Sequence, residues 1–213
     1  FQSMPISVSI CGYALAAAII FTYVGQSGEY AVAGYGVGTR IEQVVLLPIL
    51  GINTAIISII AQNYGANNLV RIKETYFTAI KYAFIIMITA GTLVFLSASV
   101  ITSFFSSDPE VIEYGKRYLK ISAFVLPAYP VFFLSNGFFM ALKKSENAMI
   151  SNFFRNVLNP IAVFYIAKYI NASFETFFWL WVGINWFFSI SYFFIIIYYF
   201  KLKLNKPSTV VHP

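Results

Sequence analysis

Charge is what this sequence has least of. Only 10% of its 213 residues are Asp, Glu, Lys or Arg, where a soluble domain carries about 25%. A chain so poor in charge cannot cover its surface with groups that suit water. With 59% hydrophobic residues and a mean hydropathy of +0.75, lipid must be the solvent for much of that surface. Histidine is nearly missing: His212, beside the last residue, is the only one. That argues against a histidine-ligated metal and against an intramembrane histidine relay. Cys11 is the lone cysteine, so no intrachain disulfide forms, and its apolar surroundings make it a small packing residue. The sequence has no Gly-x-x-x-x-Gly-Lys phosphate loop, no paired carboxylates and no nucleophile–base arrangement. Neither an enzyme nor an ATP-driven machine is expected, and no cofactor or metal.

What is present is long apolar runs. A spanning helix needs roughly 20 of them in a row, and six stretches qualify: about Pro5–Val24, Gly34–Ala61, Tyr82–Phe105, Glu113–Leu142, Ala148–Ile170 and Phe177–Phe200. Barrel strands are half that length and alternate in polarity. These runs do neither, so the expected class is an all-α integral membrane protein, a bundle of six transmembrane helices. Phe1-Gln2-Ser3-Met4 looks like the remnant of an expression tag before a start methionine, and residues 1–4 are set aside on that ground. Alternatively they are native residues of a chain cut from a longer one. Residues 5–204 then form the membrane unit and 205–213 a disordered cytoplasmic tail. The segment Asn67–Thr78 is polar and basic with apolar residues interspersed, which predicts a short amphipathic helix on the cytoplasmic face.

The net charge of +6 sits at the ends of the apolar runs rather than as a stripe on a polar domain, so nucleic acid is not an expected partner. One set of loops holds Arg71, Lys73, Lys81, Lys143, Lys144, Arg155, Lys201, Lys203 and Lys206. The other holds Glu29, Asp108, Glu110, Glu113 and Glu175 with Lys116, Arg117, Lys120 and Lys168. The first set is richer in Lys and Arg and is placed in the cytoplasm, with both termini. A multi-pass protein of the cell inner or plasma membrane follows.

The second span carries a distinctive pattern. Ala33-Gly34-Tyr35-Gly36-Val37-Gly38-Thr39-Arg40-Ile41-Glu42 leads into Leu47-Pro48-Ile49-Leu50-Gly51-Ile52-Asn53, then Ala61-Gln62-Asn63-Tyr64-Gly65-Ala66-Asn67-Asn68 and Arg71. With Pro5-Ile6-Ser7 and Tyr118-Leu119…Pro127…Gly137, this resembles the multidrug and toxic compound extrusion (MATE) family of secondary transporters, most closely its DNA-damage-inducible-F-like branch. The resemblance covers the whole chain but half the family's usual length. It implies one lobe, the C-terminal one, of a two-lobed pseudosymmetric transporter with a cavity between the lobes. It also implies antiport of amphipathic, often cationic small molecules against a proton or sodium gradient, with an N-terminal lobe or a second copy of the chain as partner. In sodium-coupled relatives this lobe carries two acids, whose places fall near Tyr13 and Pro130 here. Neither is acidic, so no cation site of that kind is expected.

Charges inside a span are functional candidates by default. Arg40 and Glu42 lie near the outer end of the second span, two residues apart and so on opposite sides of the helix. Glu42 needs a cation, and Lys120, at similar depth on the fourth span, is the proposed partner, either as a clamp or as part of a pathway. Asn53 and Asn136 are the amides expected to face a cavity; Asn156, Asn159 and Asn185 are expected to bond helix to helix. Among 23 phenylalanines and 15 tyrosines, most of them plain lipid-facing or interfacial residues, Tyr13 and Tyr129, with Gln43, are the candidate cavity residues. Pro48, Pro127 and Pro130 each delete a helix hydrogen bond and mark a kink or a hinge, and Pro160 a static kink. Gln62, Asn63 and Gly65 read as loop architecture, with Gly65 as a left-handed cap. Two alternatives stand beside the exporter. One is a lipid-linked sugar flippase of the same superfamily, which would favour a wide basic cavity. The other is a truncated membrane protein that only binds partners.

Overall fold

The computed structural model describes residues 3–204, with side chains placed for residue 12 and residues 14–202. The tail from residue 205, His212 included, lies outside the described residues, as do Phe1 and Gln2 and the side chains of Cys11 and Tyr13.

Long apolar runs become helices because lipid offers the backbone no hydrogen bonds. The helices are α1 (Ser3–Gly25), α2 (Glu29–Gly65), α3 (Leu69–Ser103), α4 (Pro109–Ser122), α5 (Tyr129–Ala141), α6 (Ser145–Phe153), α7 (Asn159–Tyr169) and α8 (Phe174–Leu204). A short 3₁₀ turn, Leu126–Ala128, joins α4 to α5, and a π-helical turn, Phe154–Leu158, joins α6 to α7. Among the described residues these eight helices form six rods, in the order expected from hydropathy. Four of the rods described are long and apolar enough to cross a membrane: Glu29–Gly65, Leu69–Ser103, Pro109–Ala141 and Phe174–Leu202. The chain is a multi-pass membrane protein.

The fourth rod is the axis of the bundle. Its most apolar stretch is 72% buried, against 17%, 22% and 28% for the other three. α2 packs on α3, α4 and α5, while α8 packs on α5 and α7, and α1 on α6, α7 and α2. Glycines let α2 approach α4 closely: a Cβ on Gly34 would stand 2.7 Å from the Gly115 amide nitrogen. Asp108 caps α4, accepting from the Glu110 amide at 2.9 Å with Pro109 in the first turn.

Two expectations are corrected. The basic segment Asn67–Thr78 is not a separate surface helix. Asn68 caps it, accepting from the Arg71 amide at 3.0 Å, and the helix runs unbroken into the third span as α3. Nothing in Ile72-Lys73-Glu74-Thr75-Tyr76 breaks a helix, and Ile72 and Tyr76 are buried, so the turn that starts on the surface continues inward. The left-handed residue after α2 is Asn67 (φ 54), not Gly65, which ends the helix itself. The Asn67 amide bonds Tyr64 O at 3.1 Å and the Asn68 amide bonds Asn63 O at 2.9 Å, a Schellman closure two positions further on than the glycine suggests. Pro48 lies inside α2, which is continuous across it.

The other prolines sit at breaks. Pro127 and Pro130 stand at the start of the 3₁₀ turn and of α5, and Pro160 at the start of α7 directly after the π turn. The missing N–H of each falls where the helix ladder is already interrupted.

Candidate functional site

Glu42 is half-buried on α2, facing the fourth rod. Two tyrosine hydroxyls donate to its carboxylate: Tyr129 to Oε1 at 2.6 Å, and Tyr118 to Oε2. Both tyrosines are buried, one on each side of the break between α4 and α5. Tyr118 is fixed in turn by edge contacts with Tyr35, ring centroids 5.0 Å apart, and with Phe178 at 4.8 Å. Gly38 leaves the space that the Tyr118 ring fills, since a Cβ there would overlap it.

Lys120 is not the partner of Glu42. No ion pair joins them among the described residues, and Lys120 Nζ lies instead 5.5 Å from the centroid of the Phe95 ring. Tyr118 and Lys120 are two residues apart, about 200° around an α-helix. Turning the tyrosine onto α2 turns the lysine away from it.

Arg155 is the residue that the sequence assigned to the wrong place. It is not in a cytoplasmic loop but on the π turn of the fifth rod. Its guanidinium lies 4.3 Å from the Phe132 centroid, 5.0 Å from Tyr129 and 5.6 Å from Phe133, and its Nε donates to Asn185 Oδ1 at 3.3 Å. Three ring faces offset part of the cost of taking the charge out of water. Tyr129 therefore has its hydroxyl on the acid and its ring under the base.

These groups share a cavity of about 150 Å³ whose walls include Thr39, Glu42, Gln43, Tyr129, Arg155 and Asn156. Such a space accepts a small polar or charged group and meets it with one carboxylate, one guanidinium, and neutral donors and acceptors between them. It brings together three of the expected site residues, Glu42, Gln43 and Tyr129. Arg40 is exposed on another part of α2 and does not line it.

The two amides expected at a cavity lie elsewhere. Asn136 is buried and tied between helices, donating to Asn152 Oδ1 at 3.2 Å and accepting from Tyr192 at 3.1 Å. Asn53 presses against Gly137, and its Oδ1 is buried without a hydrogen bond. Of the amides expected to bond helices, Asn185 joins α8 to Arg155. Asn159 does not bond at all: both its amide atoms are buried and unpartnered. In the turn motif Gln62 is exposed and Asn63 donates to Ile59 O at 2.8 Å, a bond within the last turns of α2. No group of three or more metal-ligating side chains occurs among the described residues.

The family model described as MatE matches residues 5–165. The probable multidrug resistance protein YpnP of Bacillus subtilis is 26% identical over 164 residues, covering 77% of this chain and 34% of that protein. An FAD transporter of Shewanella oneidensis is 25% identical over 158 residues, covering 74% and 35%. Among solved structures, a MOP superfamily transporter from Pyrococcus furiosus has a TM-score of 0.89 at 22% identity, covering 95% of this chain and 46% of that one. An inward-facing conformation of a multidrug resistance MATE family transporter of the same superfamily has a TM-score of 0.85, with 48% of its chain covered. The likeness to these structures is one of fold. The chain spans about a third of the length of the curated relatives and just under half of the solved chains.

Proposed function

The chain belongs to the MatE family, and from that premise we propose that it forms one lobe, the C-terminal one, of a membrane exporter of amphipathic, often cationic compounds. A proton or sodium gradient drives it, and the remaining lobe is a further segment of the protein or a second copy of this chain. Relatives named as multidrug resistance and multidrug export proteins support the substrate class. The observation that carries the reading is Glu42, a carboxylate at membrane depth, oriented by Tyr118 and Tyr129 hydroxyls and lining a cavity. A carboxylate so placed attracts a proton, a metal cation or the ammonium of a drug, and binds one at a time. Its two donors stand on opposite sides of the Pro127 break, so any motion at Pro127 and Pro130 changes how the acid is held. Rocking of one lobe against the other around midplane sites is the transport motion this class of architecture supports.

Both termini and the basic loops face the cytoplasm in this reading. A lipid-linked sugar flippase would favour a wide basic cavity, whereas the space beside Glu42 is about 150 Å³ with one acid and one base on its walls.

The test is gradient-driven uptake of a fluorescent organic cation into everted vesicles carrying the full-length protein. Wild type is expected to accumulate the dye under an imposed proton or sodium gradient, and Glu42→Gln to lose at least about tenfold of that rate. Undiminished transport by Glu42→Gln would remove Glu42 from the mechanism.

A further inference from the structure

The cation displaced from Glu42 faces a second cavity. Lys120 lies in the last turn of α4, and its ammonium stands over the ring of Phe95. Phe95 is one wall of a cleft of about 440 Å³ between α3, the break after α4, and α8. Phe124 and Trp179 make the other aromatic walls, with Phe124 5.8 Å from Phe95 and 5.3 Å from Trp179 by ring centroids. The cleft exists because the chain leaves the helix after Ser122. Gly91 of α3 approaches the carbonyl of the buried Ala123, and Trp186 Nε1 donates to the carbonyl of Phe124 at 2.8 Å. The cleft is thus a stable notch with its backbone polar groups partly answered. Its volume falls within the range of small-molecule sites, and its rim is open: Ile88 is 44% exposed, Phe124 48% and Trp179 47%.

Two features say what covers it. The walls are apolar and open onto the lipid-facing side, which suits an acyl chain. The charge above them is a lysine with no carboxylate within ion-pair distance among the described residues. Its neighbours one turn up, Lys116 and Arg117, are both taken by Glu113, at 3.0 Å each, and Arg117 also by Glu175 at 3.3 Å. The ammonium lies beside Phe95, and rotation of its four-carbon stem lets it reach outward toward the headgroups, where the available anion is a phosphate. Phe95 lies two turns below the end of α3 at Ser103, about 12 Å at 1.5 Å per residue, within one ~15 Å half of the bilayer core. Head above and chain below is the orientation of a lipid in its own leaflet.

We propose that this cleft is a binding site for one membrane phospholipid, with an acyl chain between Phe95, Phe124 and Trp179 and its phosphate on Lys120. The site is separate from the Glu42 cavity and stands or falls independently of transport. The bound chain lies against Pro127, one of the cleft's lining residues, and so braces the break in the fourth rod.

The test uses the purified full-length protein, stripped of lipid and titrated with dioleoyl phosphatidylglycerol or with dioleoylglycerol, which has the same chains and no phosphate. Native mass spectrometry counts the adducts, and thermal unfolding in detergent reads their effect. The phospholipid is expected to give one tight adduct and raise the melting temperature, with dioleoylglycerol at least about tenfold weaker. Lys120→Met keeps the apolar stem and is expected to bring the phospholipid down to the level of dioleoylglycerol, while Lys120→Arg retains binding. Thr92→Trp fills the cleft from an exposed position on α3 and is expected to abolish the tight adduct with Lys120 intact. Equal binding of the two lipids overturns the proposal. So does wild-type affinity in Lys120→Met or in Thr92→Trp, which would place the bound phospholipid elsewhere on the protein.

Discussion

At the residue scale the functional reading depends on how tightly Tyr118 is held, and glycine decides that. Gly36 and Gly38 are two apart on α2 and look alike in sequence, yet they meet different surroundings. A Cβ at Gly38 would run into the Tyr118 ring, whereas one at Gly36 meets nothing within 4 Å. Tyr118 cannot yield without leaving Glu42 or crowding Phe178. Gly38→Ala is therefore expected to destabilise the protein by about 1–3 kcal/mol, the usual cost of overpacking, and to lower transport at the same time. Gly36→Ala is expected to be neutral or to stabilise by up to about 1 kcal/mol through helix propensity. Thermal unfolding in detergent alongside dye transport checks both. Equal effects of the two alanines would mean that Tyr118 has room to move.

At the element scale the ends of the helices carry the strain. Among the described residues three non-glycine residues adopt positive φ: Asn67 (54°), Lys143 (58°) and Asn171 (48°), each just past a helix. Asparagine tolerates this conformation, but lysine pays a steric cost. The Lys143 and Lys144 amides still complete the Schellman pattern, to Met140 O at 3.1 Å and Phe139 O at 2.9 Å. Lys143→Gly is expected to stabilise by about 1 kcal/mol and Asn67→Gly by clearly less, measured as shifts in thermal unfolding. A larger gain at Asn67 would contradict the steric account.

The elements also mark what the sequence could and could not disclose. Apolar length made the six rods legible, and Pro127 and Pro130 marked the break in the fourth. The π turn was not legible. A one-residue register slip at Phe154–Leu158 leaves no local signature, and without it Arg155 looks like a basic residue near a helix end. Glu42 was legible as a buried acid, because a charge in an apolar run stands out. Its partners were legible only in part: Tyr129 stood out as a cavity residue but not as a donor to Glu42, and Tyr118 resembles any other tyrosine, the two lying 87 and 76 residues away from the acid. Lys120 was the obvious partner by charge and depth. Helical phase overruled it, and phase is settled only once it is known which residues of α4 face α2.

At the scale of the whole molecule the question is which end of the bundle faces the cytoplasm. Side-chain contacts group the turns into two ends. Tyr23 donates to Ala172 O at 2.6 Å, tying the end of α1 to the α7–α8 turn, and Arg117 pairs with Glu175, tying the start of α4 to the start of α8. At the other end Lys144 lies 4.7 Å over the ring of Tyr199, joining the α5–α6 turn to the last turns of α8. Moving Arg155 from a loop into the bundle removes one positive charge from the cytoplasmic count. Arg71, Lys73, Lys81, Lys143, Lys144 and Lys201 still outnumber Lys116, Arg117, Lys120 and Lys168. This count favours a cytoplasmic α2–α3 turn, the orientation we propose. A membrane-impermeant maleimide tests it on two exposed positions, Asn68 in the α2–α3 turn and Ser107 in the α3–α4 turn. Cys11 is replaced by serine first, so that each probe carries one thiol. In intact cells Ser107→Cys is expected to react and Asn68→Cys to stay unlabelled until the membrane is opened. The reverse pattern would invert the bundle. It would move the phosphate on Lys120 to the cytoplasmic leaflet, and it would leave the Glu42 cavity nearer the inside, where a gradient-driven exporter loads its cargo rather than releases it.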